Sequence, residues 1–227
     1  MDRYCLWLHG ITEEELDALP LVRGHVDACR AWREEQVKTG DAYRYRTTPH
    51  LFKVCNYFHD VPYIEIPSVS SGRREYVPLG FVTNGMIPGN QLYFVETNSL
   101  FMFGVMQSQF HNAWMRVVAG RLKNDYRYSN TIVYNNFVWL EQDEAQRARV
   151  EICAQAMLDA RSSHPGESLA SLYDPDKMPD DLLAAHRTLD AAVEAAYGVD
   201  FGGDEEMIVA HLFQSYAELT LRSERVG

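Results

Sequence analysis

The sequence predicts an α+β fold: a mixed or antiparallel sheet built with a central helix, followed by an all-α region. Three observations carry this expectation. Pro49, Pro62, Pro67, Pro78 and Pro88 keep long helices out of residues 43–100, because proline lacks an amide proton and fixes φ. Short runs in the same segment alternate apolar and polar residues, the period of a half-buried strand. Apolar residues then recur at helical spacing through 101–119 and again through 141–227. Period changes near 41 and near 140 divide the chain into an N-terminal helical arm (1–40), a sheet-containing domain (41–140) and a C-terminal helical domain (141–227).

In chain order, Thr12-Glu13-Glu14-Glu15 matches a capping box and opens a short helical turn that ends before Pro20. A longer helix is expected from Leu21 to Lys38, with Val22, Val26, Cys29, Trp32 and Gln36 as its stripe and Gly40 as its end. Tyr43-Arg44-Tyr45-Arg46 reads as a surface strand. Further strands are expected at Tyr63–Ile66, at Glu75–Val82 with Pro78 marking an edge or bulge, and at Gln91–Val95 after the turn Pro88-Gly89-Asn90. The central helix carries Met106, Phe110, Ala113, Trp114 and Val117 on one face and Gln109, Asn112 and Arg116 on the other, and it stops at Gly120. One more strand is expected in 131–139. Helices over Gln142–Arg161 and Asp181–Tyr197, with Gly198 closing the second, and one opening at Asp204-Glu205-Glu206, complete the chain.

Composition narrows the function classes. A hydrophobic share of 46% suits a folded protein. Nowhere does the chain offer the run of about 18 apolar residues that a membrane helix needs. The start, MDRYCLWLHG, lacks a signal-peptide core, and Cys5, Cys29, Cys55 and Cys153 form no CxxC pair, so a cytoplasmic protein with reduced thiols is expected. The net charge of −11 argues at first against nucleic acid, but its distribution is uneven. Residues 1–40 carry 5 Lys/Arg against 8 Asp/Glu, residues 41–140 carry 9 against 6, and residues 141–227 carry 7 against 18. A polyanion would meet the middle.

The chemistry of a self-contained enzyme is missing from the residues. The histidines form no HExxH and no zinc-spaced set with cysteine, and there is no GxSxG elbow or phosphate-binding glycine loop. His59-Asp60 and His111-Asn112 resemble metal-hydrolase and nuclease dipeptides only weakly and read as structural. Asp174-Pro175-Asp176-Lys177 reads as a turn. By contrast, Gly120 to Tyr128 interleaves Arg121, Lys123 and Arg127 with Asn124, Asp125, Tyr126 and Tyr128. That mixture offers cations for phosphates, forked donors and carboxylates for base edges, and aromatic faces.

YIEIPSVSSGRREYVPLGF and LFMFGVMQSQFHNAWMRVVAGRLKNDYRYSNTIVYNNFVW resemble the target-recognition region of the MmeI-like (type IIL) bacterial DNA adenine methyltransferases, some of which are fused to a nuclease. VMQS at 105–108 is similar to the hydrophobic-hydrophobic-Asn-Ser helix of such domains, with Gln107 in place of the usual Asn. AQAMLDAR, SLASLYDPDKMPDDLLAAH and LDAAVEAAYG resemble the family's C-terminal helical region. The family's Phe-x-Gly-x-Gly-like cofactor loop and Asn-Pro-Pro-Tyr-like tetrapeptide do not occur in this chain. The resemblance therefore implies the recognition and C-terminal part of a longer enzyme. S-adenosylmethionine would be used in the full-length protein and not bound by this chain, and an N-terminal methyltransferase domain and double-stranded DNA would be the partners. It points to Ser70, Ser71, Arg73, Arg74, Arg116, Arg121, Lys123, Asn124, Asp125 and Arg127 as DNA-binding candidates. Arginine forks fit guanine, amides fit adenine and carboxylates accept from cytosine. The rival readings are a standalone enzyme of unknown chemistry and a protein-interaction module with an acidic helical surface.

Overall fold

The structure, a computed structural model, describes residues 4–52, 61–83, 86–139 and 143–226. The chain divides into two compact units, Met1–His59 and Asp60–Gly227.

In the first unit, α1 (Glu13–Asp17) begins on the expected capping box: Thr12 Oγ1 accepts from the Glu15 amide and the Glu15 carboxylate accepts from the Thr12 amide at 2.9 Å. Helix α2 (Pro20–Glu34) starts on proline, whose missing amide costs nothing there. It ends at Glu34 instead of running to Lys38, and Gly40 precedes the next helix rather than closing this one. Arg33 is the reason for the different path. Its guanidinium donates to the carbonyls of Tyr45, Thr48 and Leu51 at 2.7, 2.9 and 3.0 Å. These bonds gather the following residues into α3 (Asp41–Arg44) and a 3-10 turn (Tyr45–Thr47), so the strand expected at 43–46 is helical. Arg46 lies 4.1 Å from the centre of the Tyr43 ring, an i,i+3 contact that a strand would not make.

The second unit is α+β with small antiparallel sheets. Strands β1 (Tyr63–Pro67), β2 (Val69–Ser70), β3 (Gly80–Val82) and β4 (Leu92–Glu96) follow in order. The first sheet runs β3-β1-β4, with Ile64 opposite Phe81 on one side and Val95 on the other. Ser68 hands the chain to a second sheet: its amide donates to the Gln91 carbonyl and its carbonyl accepts from the Tyr128 amide. Of the strand expected over 75–82, only Gly80–Val82 pairs as a strand. Residues 77–79 have side chains as hydrogen-bonding neighbours. The Val77 amide donates to Asn112 Oδ1, the Val77 carbonyl accepts from Gln107 Nε2, and the Leu79 amide donates to Gln107 Oε1.

The single central helix is two helices, α4 (Leu100–Gln107) and α5 (Gln109–Val118), separated by Ser108 at φ −74, ψ 167. Asp190, from a distant helix, accepts the Gln109 amide at 2.7 Å and so caps α5 in trans. The expected polar face is buried too, with Gln109 8% and Asn112 1% exposed, whereas Val117 of the expected apolar stripe is 51% exposed. Helix α5 ends at Val118 and Gly120 opens a strand, so Gly120 is not the helix stop. Strands β5 (Gly120–Leu122) and β6 (Asp125–Arg127) form a hairpin that extends the second sheet in the order β2-β6-β5. The strand expected in 131–139 is a π-type turn at Asn130–Tyr134. Asn136 Nδ2 donates to the carbonyls of Thr131 and Ile132, and Trp114 Nε1 to that of Val133, which leaves no straight edge to pair.

Helices α6 (Glu144–Ser162), α7 (Leu169–Leu172), α8 (Asp180–Ala196) and α9 (Glu205–Val226) follow, with Gly198 at φ 72 after α8. One hydrophobic cluster joins sheet, central helices and C-terminal helices, among them Ile64, Phe103, Phe110, Val150, Met157, Leu189 and Ile208. Gly104 leaves room for α6 to pack on α4: a Cβ there would stand 2.9 Å from Val150 Cγ1. Polar groups cross this core in connected sets. Arg161, 9% exposed, donates to Leu79 O at 2.8 Å, Gln107 Oε1 at 2.9 Å and the Tyr173 hydroxyl. The Tyr173 hydroxyl also meets His186 Nε2 at 2.7 Å. Asp190 accepts from the Tyr76 hydroxyl at 2.6 Å, and burial pushes its carboxyl up to about 6.

Two predictions follow from this core. Arg161→Ala strands several buried acceptors at once and lowers unfolding stability by about 3 kcal/mol, read as a lower denaturant midpoint. The second concerns acid. Burial holds the His111 imidazole down to about 4, against an opposing hydrogen bond to the Met106 backbone. The unfolded chain thus takes up this proton first. Stability from His111 is complete above about pH 6.5 and is lost as pH falls toward 4, on the order of 3 kcal/mol. Asp190 acts in the opposite sense, losing stability as pH rises from about 4 to 6. A His111→Gln variant flattens the fall in thermal midpoint between pH 7 and 5 relative to the parent chain, as measured by calorimetry.

Candidate nucleic-acid interface

The stretch rich in recognition chemistry folds as the β5–β6 hairpin. Gly120, Arg121 and Leu122 face Arg127, Tyr126 and Asp125, which leaves Lys123 and Asn124 as a two-residue turn. Lys123 has φ 58, the only positive φ of a non-glycine residue among those described. A left-handed conformation costs a residue with a Cβ roughly 1–2 kcal/mol, and tight turns that need it usually place glycine there. Here the position carries a cation at the most projecting point of the hairpin.

Strand alternation sorts the other side chains. Arg121, Tyr126 and Ser70 lie in one cross-strand row, and Gly120, Arg127 and Val69 in the next, so Arg121 and Arg127 point to opposite faces. The Arg121 guanidinium stacks over Tyr126, 3.7 Å from the ring centre. Tyr126 is itself 8% exposed, so the arginine is the outer layer and the ring its support. Tyr128, 4% exposed, is anchored inward by a 3.0 Å hydrogen bond between its hydroxyl and His111 Nε2. Burial raises its pKa. Neither tyrosine presents a face to solvent, contrary to the aromatic platform their sequence setting suggests.

The loop Ser71–Arg74 runs beside this hairpin because β2 pairs with β6. The Gly72 amide donates to Asp125 Oδ1 at 3.3 Å, and the Ser71 hydroxyl accepts from the Arg73 amide. The candidates therefore fall into distinct environments. Arg121, Lys123, Asn124 and Arg127 are exposed, and among the described residues no carboxylate pairs with Arg121, Lys123 or Arg127. Arg73 meets Asp176 at 2.7 Å, with both side chains more than two-thirds exposed at 67% and 68%. Arg74 Nη2 reaches the Ala170 carbonyl at 3.4 Å, while its Nε is buried without a hydrogen-bond partner. Ser70 is buried, its hydroxyl likewise without a partner. Arg116 lies apart from the hairpin row. It makes a two-pronged pair with Glu205 at 2.7 and 2.9 Å and donates to the Glu75 carbonyl.

Other motifs take structural places. His111 and Asn112 serve Tyr128 and Val77, residues 174–177 form a turn, and His59-Asp60 lies outside the described residues. No group of His, Cys, Asp and Glu among the described residues could hold a metal ion, and no described helix is long and apolar enough to cross a membrane. The sequence reading missed Gly72, Gln107, Arg161 and Asp190 as organising residues. Their hydrogen-bond partners lie tens of residues away in the chain, so no local pattern marks these roles.

Comparison with known proteins places this geometry. The model of the MmeI target recognition domain matches residues 1–141, and that of the MmeI C-terminal domain matches residues 142–223. DNA methyltransferase A of Bacillus subtilis (strain 168) is 35% identical over 225 residues, covering 97% of this chain and 25% of that protein. A solved structure of the type IIL restriction-modification enzyme MmeI in complex with DNA superposes with a TM-score of 0.87 at 39% identity, over 95% of this chain and 29% of the other. The chain spans only a quarter to three-tenths of these relatives. It belongs to the MmeI family, as a target recognition domain followed by the family's C-terminal domain.

Proposed function

We propose that this chain is the sequence-reading region of an S-adenosylmethionine-dependent N6-adenine DNA methyltransferase whose catalytic domain lies outside these residues and is its partner. It would act on double-stranded DNA in the cytoplasm. The observation that carries the reading is the hairpin: Arg121, Lys123 and Arg127, which meet no carboxylate among the described residues, lie on one exposed ribbon of a chain whose net charge is −11. A β-ribbon fits the major groove, where its side chains reach both base edges and flanking phosphates. Phosphate contacts give affinity and register, and base-edge contacts give sequence. We assign Arg121 to a guanine edge, since it is exposed and its guanidinium is held flat on the Tyr126 ring, and Lys123 and Arg127 to phosphates. Asn124 suits an adenine edge. Arg73 joins them through an exposed pair with Asp176 that is worth little and can be exchanged for a phosphate. Ser71 and Arg74 border the hairpin, and we read Ser70 and Arg116 as scaffold.

The cofactor has no fit among these residues. Gly72, Gly80 and Gly104 closely approach Asn124, Glu65 and Val150, and Gly202 and Gly203 border a cavity lined by the carboxylates of Glu75, Asp190, Glu194 and Asp200, with their amides already taken by Glu194. Binding of S-adenosylmethionine is therefore assigned to the rest of the polypeptide. The alternative of an acidic interaction surface loses weight because several carboxylates of the tail are spent internally. Asp190 caps α5, Glu194 accepts the amides of Phe201, Gly202 and Gly203, and Glu205 holds Arg116.

The test uses the full-length enzyme. Arg121→Ala costs about 1–3 kcal/mol and relaxes the methylated sequence at one position, read by methylome sequencing. Lys123→Ala weakens all duplexes alike and reduces the salt slope by about 1. Unchanged methylated sequence and rate in Ala variants at 73, 121, 123 and 127, each made singly, would sink the assignment. Lys123→Gly separates function from folding: it relieves the left-handed strain and stabilises the fold by about 1 kcal/mol, while DNA binding weakens.

A further inference from the structure

A cavity of about 510 Å³ lies at the N-terminus of α5, the opposite end of that helix from the hairpin. Small-molecule sites commonly measure about 300–1,000 Å³. Negative charge prevails in its lining. Glu75, Asp190, Glu194 and Asp200 contribute carboxylates, and Arg187 contributes a guanidinium that is paired with Glu75 at 2.6 Å. Carboxylates gathered in this way often serve only the fold. Gln109 sets this group apart. It lines the same cavity, is 8% exposed, and its Oε1 is buried without a hydrogen-bond partner. A buried acceptor with no donor costs stability, and such atoms are rare in folded proteins. Gly203, at φ 81, keeps the oxygen uncovered: a Cβ there would lie 3.1 Å from it.

We propose that this cavity binds an aliphatic di- or polyamine, with one ammonium group donating to Gln109 Oε1 and a second pairing with Asp200. The site is independent of the hairpin reading. Asp200 is exposed and has no ion-pair partner among the described residues. Asp190 and Glu194 accept hydrogen bonds from Tyr76 and from the amides of Gln109, Phe201, Gly202 and Gly203. They supply negative potential, while Gln109 and Asp200 supply the open acceptors. The positive end of α5 would repel a cation, but the Asp190 carboxylate already sits on it. A divalent metal fits poorly. Magnesium and calcium take about six or more oxygen ligands, and no group of His, Cys, Asp and Glu among the described residues could hold a metal ion. An ammonium group donates three hydrogen bonds and accepts amide, carboxylate or water oxygens alike as partners. Two such groups suit the excess of carboxylates, and Ala191 gives the methylene chain between them an apolar wall.

The test titrates putrescine into the full-length enzyme without DNA, by calorimetry at one fixed ionic strength. Butylamine is the single-ammonium control, 1,4-butanediol the uncharged one, and magnesium the metal control. Putrescine binds saturably at one site and raises the thermal midpoint, whereas butanediol does neither. Gln109→Leu removes the acceptor at similar volume, keeps the backbone amide that Asp190 accepts, and weakens putrescine about tenfold. Asp200→Asn weakens it to a similar degree, and butylamine binds the parent enzyme correspondingly less tightly than putrescine. The proposal is overturned by the absence of saturable putrescine binding, by unchanged affinity in either folded variant, by equal affinity for butylamine, or by magnesium filling the site and excluding putrescine. Thermal midpoints confirm that each variant is folded. If Gln109→Leu does not fold, Asp200→Asn, at an exposed position, decides by the same criterion.

Discussion

The buried clamp on residues 77–79 is the constraint on which the second unit depends. A buried segment outside any helix or strand ladder needs partners for its amides and carbonyls. Here Gln107 supplies a donor and an acceptor, Asn112 an acceptor and Arg161 a donor, and no neighbouring strand does so. Gln107 sits at the end of α4, Asn112 in α5 and Arg161 in α6. The segment is therefore a common rail against which these helices are fixed. Asp190 completes the arrangement from α8, holding the α5 N-terminus with one carboxylate oxygen and Tyr76 with the other. The direction of α5 is set at its start by that capping and along its length by the rail. The hairpin follows directly from its end.

The regular parts of the fold were legible because their signals are local. The capping box at Thr12, the alternation at 63–66 and the stripe of the C-terminal helices each lie within a few turns or a few residues. The failures come from hydrogen-bond partners that apolar periodicity does not register, some of them far along the chain. The break at Ser108 is stabilised by a carboxylate 81 residues away from Gln109, and nothing in GVMQSQF marks it. Residues 131–139 read as a strand, yet the Asn136 amide turns back to donate to the Thr131 and Ile132 carbonyls and Trp114 takes that of Val133. Periodicity describes which residues are apolar, not which backbone groups have found another partner.

The candidate interface shows the same division. The composition of 120–128 singled it out, and the positive charge of the middle segment was visible by counting. Which cations remain available was not visible. Arg116 and Arg73 meet carboxylates that lie 89 and 103 residues further on. These pairs draw charge away from the flanks and leave the surplus at the hairpin. Similarly, Tyr126 and Tyr128 looked like bases' stacking partners. Alternation in β6 and the bond to His111 turn both into supports for what lies above them.

The salt bridge between Arg116 and Glu205 bears on how such a region can be exchanged between relatives. Glu205 opens α9, the last helix, and its partner lies in the helix that delivers the hairpin. With Asp190 and Arg161, it means that residues on both sides of position 141 share buried bonds. A recombination junction placed there would give each half an interior evolved for another sequence, with carboxylates and guanidinium groups facing strangers. Inheritance of a new DNA preference by shuffling is easier where the crossover keeps these pairs together. On the reading proposed for the hairpin, substitution there alone is easier still, since its exposed cations can change without reaching the buried bonds of the core.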